Sequence, residues 1–163
     1  MFRFLILAFC CIYLPVNAEL GQQTDPESGE KNQRQEIIKE AEKYLGKRYK
    51  TNIKGQVMDC SGYTRFILSK FGIKVTRSSV TQVKDGTRVI EMKDAKPGDI
   101  LVFKGRNPHN NIPGHVGLVH HWSNDTLYFI HSSVQKGITI DHMYDPYYKR
   151  RYLQTRNVLT GKK

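Results

Sequence analysis

Apolar residues recur along this chain at two different periods, and the change of period divides it. From Asn32 to Leu45 they fall at helical spacing. Ile37, Ile38, Ala41, Tyr44 and Leu45 share one face, Asn32 and Gln35 resemble a capping box, and Gly46 is a stop. The same period returns from Cys60 to Phe71, with Tyr63, Phe66, Ile67 and Phe71 apolar, Asp59 as N-cap and Gly72 closing the run. Arg77-Ser78-Ser79 is a polar break before a short helical stretch holding Val80 and Val83, which ends at Gly86. Beyond that point the runs have strand length: Thr87–Met92, Ile100–Phe103 after a Lys96-Pro97-Gly98-Asp99 turn, His115–Trp122, Leu127–His131, Gly137–Asp141 and Leu153–Leu159. Ser123-Asn124-Asp125-Thr126 is a tight turn, Lys104–Gly114 a long loop suited to the rim of a cleft, and Asp145–Arg151 a basic, aromatic connection. Helices first and hairpin-linked strands afterwards predict an α+β fold, with N-terminal helices packed on a central antiparallel sheet.

Both ends of the charge and hydropathy profile change the picture. Residues 1–18 read as a secretory signal peptide: Arg3, an apolar stretch from Phe4 to Leu14, and Val16-Asn17-Ala18 before Glu19. The apolar stretch is shorter than the roughly 20 residues of a membrane span, and no later stretch is apolar enough to be one. The expectation is export to a periplasm or to the cell wall and medium. A lipid anchor at Cys10 ranks second, because Phe9 stands where a lipidation box has a small residue. Residues 19–31 read as a flexible polar leader, and 32–163 as one domain without repeats. The 163-residue chain carries a net charge of +11. That suits an anionic partner, although for charge alone solubility is the favoured reading. Nucleic acid is disfavoured, since zinc-finger spacing, a basic helix and interleaved Arg/aromatic strands are all missing from the sequence.

The candidate chemistry centres on Cys60. Cys10 and Cys11 lie in the signal segment, so a processed chain keeps one thiol and no internal disulfide. Behind the Asp59 cap, Cys60 stands at a helix N-terminus, where the helix dipole favours thiolate. Its bland alternative is a small buried hydrophobe. A nucleophilic cysteine needs a base, and the base needs an orienting partner. Of six histidines, His115 and His131 sit on successive predicted strands at an even separation. With a four- or five-residue turn they lie nearly opposite, share a face and touch. Two strand histidines with satisfied hydrogen bonds are the alternative. A metal site is disfavoured by the absence of close C-x-x-C or H-x-x-x-H pairs, and no cofactor is expected.

Taken in order, these segments resemble the NlpC-type family of cell-wall cysteine peptidases, named also for the p-sixty protein, over about Gln33–Leu159. Asp59-Cys60-Ser61-Gly62 resembles the opening of the family's nucleophile helix, and Arg77-Ser78-Ser79 with Gln82 and Gly86 its R-S-S-x-x-Q-x-x-x-G segment. Pro97–Phe103, Gly114–Val119, Phe129-Ile130-His131 and Tyr147–Leu153 resemble its later strands and tail. The resemblance implies a papain-like core. It implies Cys60 as nucleophile, His115 as base, His131 as orienting residue and Tyr49 as a donor to the oxyanion. It implies Asp59, Ser61 and Ser78 as substrate-binding residues. It further implies hydrolysis of an amide bond in peptidoglycan stem peptides, that of γ-D-glutamyl–meso-diaminopimelate. Lys50-Thr51-Asn52 replaces the family's W-G-G after the tyrosine, a departure at the wall of the cleft. A thiol amidase or acyltransferase on another substrate, and a non-catalytic wall-binding module, are the rival readings.

Overall fold

The computed structural model describes residues 26–160, so the predicted signal segment 1–18 and residues 19–25 of the predicted leader lie outside the described residues. In chain order the elements are α1 (Pro26–Glu42), a hairpin of β1 (Asn52–Ile53) and β2 (Gln56–Val57), α2 (Cys60–Ser69), α3 (Ser79–Gln82), β3 (Thr87–Val89), β4 (Ile100–Lys104), β5 (Pro113–Ser123), β6 (Thr126–Ser133), β7 (Gly137–His142), α4 (Pro146–Arg151) and β8 (Tyr152–Asn157). The larger sheet is antiparallel throughout, in the order β3-β8-β4-β5-β6-β7. The expected α+β order is therefore the observed one.

The leader is shorter than the sequence pattern implied, because residues 26–31 are helical. They lack apolar periodicity, since the first turn faces solvent. The helix extends through them by way of an ion pair one turn apart, Glu30 to Arg34 at 2.8 Å. Proline is tolerated at such a start, where a backbone N–H has no helical acceptor. At its other end α1 stops at Glu42 and the chain turns through Gly46 at φ 77°, which leaves Leu45 44% exposed instead of on the buried face. Arg34 is itself buried. Its guanidinium donates to Asp99 Oδ1 at 2.8 Å, the Pro97 carbonyl at 2.7 Å and Asn157 Oδ1 at 3.2 Å. One side chain thus pins α1 to the start of β4 and the end of β8.

Alternation along β4 supplies two cores. Ile100 and Val102 join Val116, Leu118 and Ile130 beneath α1 and α2, with Ile37, Tyr63 and Ile67 from the helices. Leu101 and Phe103 point the other way and pack with Val119, Leu127, Phe129 and Tyr148. Tyr148 belongs to α4, which the sequence pattern gave only as a basic aromatic connection. Asp145 caps this helix by accepting from the Tyr147 N–H at 2.7 Å, and Pro146 opens it.

The β5–β6 hairpin holds the feature on which the site depends. Asn124 and Asp125 both take positive φ, 45° and 58°, as a two-residue hairpin turn requires. The register then shifts between Val119 and His121, so that His120 is an extra residue. The ladder continues to Leu118↔Ile130 and stops there, although β5 begins at Pro113 and β6 runs on to Ser133. The tip of α2 meets the sheet where these strands part. Ser132 Oγ donates to the Met58 carbonyl at 2.7 Å and ties the approach to α2 into the opening.

Candidate active site

Cys60 is the first residue of α2. Asp59 caps the helix as expected, accepting from the Gly62 N–H at 2.7 Å and from Ser61 Oγ at 3.2 Å. Gly62 is required here, because a Cβ at this position would overlap the Val57 carbonyl oxygen. The thiol is unpaired with any other cysteine and is 7% exposed. Burial raises its pKa. The backbone N–H groups of Val116, Ser61 and Cys60 work in the opposite direction, and the Asp59 charge adds to the rise. The expected bias toward thiolate is therefore present in the helix-tip N–H groups but is outweighed by desolvation.

Val116 also fixes where Cys60 lies relative to the histidines. Its side chain enters the core beneath α2, its N–H is directed at the sulfur, and it follows His115 in β5. His115 projects from the other face, 5.9 Å from the Phe103 ring centre. It meets His131 across the opening: His115 Nε2 lies 2.8 Å from His131 Nδ1, with the rings nearly perpendicular. The two histidines touch as expected, but not from directly opposite positions. One step beyond Leu118↔Ile130, His131 faces Gly117, and His115 is its diagonal neighbour. Gly117 permits this, since a Cβ there would come within 2.8 Å of Phe129 Cδ2 and 3.0 Å of His131 Cβ. Among the described residues the Cys60 thiol and the His115 ring form no hydrogen bond with each other. Such pairs often tighten only when substrate binds.

Burial, then the neighbouring His131, pulls the His115 imidazole down to about 3, against the opposing charge of Asp141. Burial lowers His131 as well, and its hydrogen bond to Asp141 partly offsets this. Asp141 was not among the expected residues. Its Oδ2 lies 3.1 Å from His131 Nε2 and accepts from Tyr148 Oη at 2.9 Å, while Oδ1 accepts from Lys136 Nζ at 2.7 Å. The hydrogen bond from His131 and those from Lys136 and Tyr148 hold this carboxyl well below the usual carboxylate range, although burial opposes them. The alternation of β7 was a signal that could have found it, since Asp141 pairs with Phe129 and so shares a face with His131.

The other predicted residues divide into two groups. Tyr49 lies beside the thiol: burial raises its phenol, and the charges of Cys60 and Asp59 raise it further. Asp59 and Ser61 are together with Arg77, a residue of the site that sequence reasoning misses. Arg77 grips the Asp59 carboxylate with Nη1 at 2.9 Å and Nη2 at 2.8 Å, and reaches Ser61 Oγ at 3.1 Å. Burial alone would raise the Asp59 carboxyl, but Arg77, the Gly62 N–H and Ser61 bring it below the ordinary value. Ser78 instead serves as the N-cap of α3, its hydroxyl accepting from the Thr81 N–H at 3.3 Å. Among the described residues no group of three or more His, Cys, Asp and Glu side chains is arranged to hold a metal.

A model of the NlpC/P60 family matches residues 46–157. A Listeria monocytogenes protein named "Probable endopeptidase p60" is 46% identical over 41% of this chain and 14% of its own length. A "Gamma-DL-glutamyl hydrolase" of Bacillus subtilis is 30% identical over 96% of this chain and 36% of its own. The chain thus spans well under half of the length of either relative. Among solved structures, NlpC1 of Trichomonas vaginalis superposes with a TM-score of 0.65 at 23% identity, covering 77% of this chain and 44% of that one. At that identity the likeness establishes the fold, the papain-like α+β arrangement of the family.

Proposed function

The chain belongs to the NlpC/P60 family, and from that premise we propose that it is a cysteine peptidase acting on peptidoglycan stem peptides at the γ-D-glutamyl–meso-diaminopimelate bond. The observation that carries the reading is the hydrogen-bonded pair of His115 and His131, together with Cys60 at the tip of α2, whose sulfur meets the N–H of Val116, the residue that follows His115. The Cys60 proton passes to His115 as the sulfur attacks the amide carbonyl. Tyr49 and the Cys60 N–H donate to the tetrahedral oxyanion. His115 returns its proton to the leaving amine, and the amide C–N bond breaks to give a thioester. Water, deprotonated by His115, then hydrolyses the thioester and frees the thiol. In this reading Asp59, Ser61 and Arg77, which hydrogen-bond to one another around the start of α2, supply the polar groups that grip the peptide. The γ-glutamyl bond is supported by the name of the Bacillus relative, and the net charge of +11 suits a substrate bearing carboxylates.

The reading includes export, on the strength of residues 1–18. No helix among the described residues is long and apolar enough to cross a membrane.

Digestion of L-Ala-γ-D-Glu-meso-diaminopimelate under reducing conditions, read by mass, tests this proposal. Release of L-Ala-D-Glu by the native chain and not by Cys60→Ala is the expected outcome. A folded protein with a free thiol that leaves the peptide intact would remove the substrate assignment. Labelling of Cys60 by an acyl donor without hydrolysis would move the reading to acyl transfer.

A further inference from the structure

The hydrogen bonds behind the histidine pair have a direction, and the direction assigns a role to a residue outside the triad. An ionised carboxylate accepts and does not donate. Asp141 is held ionised by three neighbours on three different elements: His131 on β6, Lys136 in the β6–β7 turn and Tyr148 on α4. Tyr148 Oη donates to Oδ2 and Lys136 Nζ to Oδ1, so the contact between Oδ2 and His131 Nε2 requires the proton to be on Nε2. A neutral His131 then has a bare Nδ1, which must accept. Its partner 2.8 Å away is His115 Nε2, which must therefore be the protonated nitrogen of that ring. Nδ1 of His115 is left as the only ring nitrogen able to take the thiol proton. The opposite assignment would place the proton of His115 on Nδ1 and leave no base for Cys60.

We propose that Asp141 is a positioning residue that sets the tautomers of His131 and His115 in turn, so that the site is a four-member series Asp141–His131–His115–Cys60. The inference rests on the reading of Cys60 as nucleophile and His115 as base. Asp141 touches neither substrate nor sulfur; it acts through His131. Its charge also stabilises the imidazolium that forms on His115 once the proton has moved, the second contribution a buried carboxylate makes to a cysteine–histidine or serine–histidine site. Lys136 keeps the carboxylate from turning its other oxygen toward the ring. Asp59, Arg77 and Tyr49 are charged and titratable groups that interact with the thiol itself.

Two measurements on the full chain test this without any substrate, so failure of the peptidoglycan assay leaves them intact. Imidazole nitrogen NMR of the unaltered protein at neutral pH should show both rings protonated at Nε2 and bare at Nδ1. A protonated Nδ1 on either ring overturns the proposal, whether or not any variant folds. The rate of Cys60 alkylation against pH should then rise with a midpoint about 1 to 3 pH units higher in Asp141→Asn than in the unaltered chain, the size of effect a lost opposite charge has on a nearby group. Asp141→Glu, which keeps the charge, should recover most of that shift. If Asp141→Asn lowers the melting temperature but leaves the midpoint and the tautomers in place, Asp141 is structural and the proposal fails.

Discussion

At the scale of single residues, the site depends on positions where side-chain volume is missing as much as on those that supply chemistry. Gly117 carries no functional group, yet it is the residue against which His131 is set. A methyl there meets Phe129, which is fully buried, and the base of His131, which is 1% exposed, so neither neighbour can yield cheaply. Gly117→Ala should therefore push His131 off the line from Asp141 to His115. The expected result is a fall in peptidase turnover of about 10- to 100-fold, the scale on which misplacement of about 1 Å is felt. Far-UV circular dichroism should stay unchanged, and overpacking should cost about 1–3 kcal/mol of stability. Steady-state turnover measured beside a urea titration separates the two effects, and turnover equal to that of the unaltered chain would show that His131 has room to spare. Gly62 has a different reason for being glycine. It lets the Val57 carbonyl approach the first turn of α2, and so keeps Cys60 at the tip of the helix.

At the scale of elements, legibility followed whether a signal was periodic. The helix from Cys60 and the strands from Ile100, His115, Leu127 and Gly137 were readable because burial of one face imposes a period on the sequence. The first turn of α1 and the whole of α4 were not, since both are held by local polar contacts, Glu30–Arg34 in one and the Asp145 cap in the other. The bulge at His120 was also illegible, and it matters most. If the register Ser123↔Thr126 ran on unbroken, His131 would lie opposite Leu118 and on the other face from His115. The even spacing of the two histidines thus led to the right contact by way of the wrong register. Cys60, His115 and His131 were named from helix-cap and strand spacing, and Tyr49 only through the family resemblance. Asp141 and Arg77 were not, because a carboxylate on a strand and an arginine after a helix read as ordinary solvated charges until the fold places them. Arg34 is the same kind of residue in a structural role. Removing it leaves Asp99 buried and without its cation, so Arg34→Ala should cost about 3–5 kcal/mol. A denaturant midpoint close to that of the unaltered chain would mean that α1 is not pinned through this ion pair.

At the scale of the whole molecule, the same burial that defines the site makes stability depend on acid. The ordinary histidine value is 6.5, and His115 is brought down to about 3 in the fold, with His131 lowered too. A group whose affinity for protons is lower folded than unfolded makes the unfolded state bind more protons across the interval between the two values. Stability then rises with pH in that interval. The contribution is complete above about 6.5 and is lost progressively as pH falls toward 3. Each such histidine adds a slope of up to about 1.4 kcal/mol per pH unit. His121, lowered by burial and by His120, acts in the same direction from a more exposed position. Of the carboxylates, Glu40, brought to about 2 by Lys43 and Lys70, and Asp141 act in the same direction as the histidines at lower pH, whereas Asp99, raised by burial, has the opposite sign. Urea titrations at pH 7.5, 6.5, 5.5 and 4.5 should therefore show unfolding free energy falling steadily below pH 6.5 in the unaltered chain, and falling less steeply in His115→Gln. A flat profile over that range would mean that the histidine pair takes up protons in the fold as readily as in the unfolded chain. Unfolding free energy that instead rises as pH falls from 7.5 to 5.5 would mean that the pair is already protonated in the fold. In that case the resting site holds thiolate and imidazolium, not the neutral thiol and neutral base that their burial dictates.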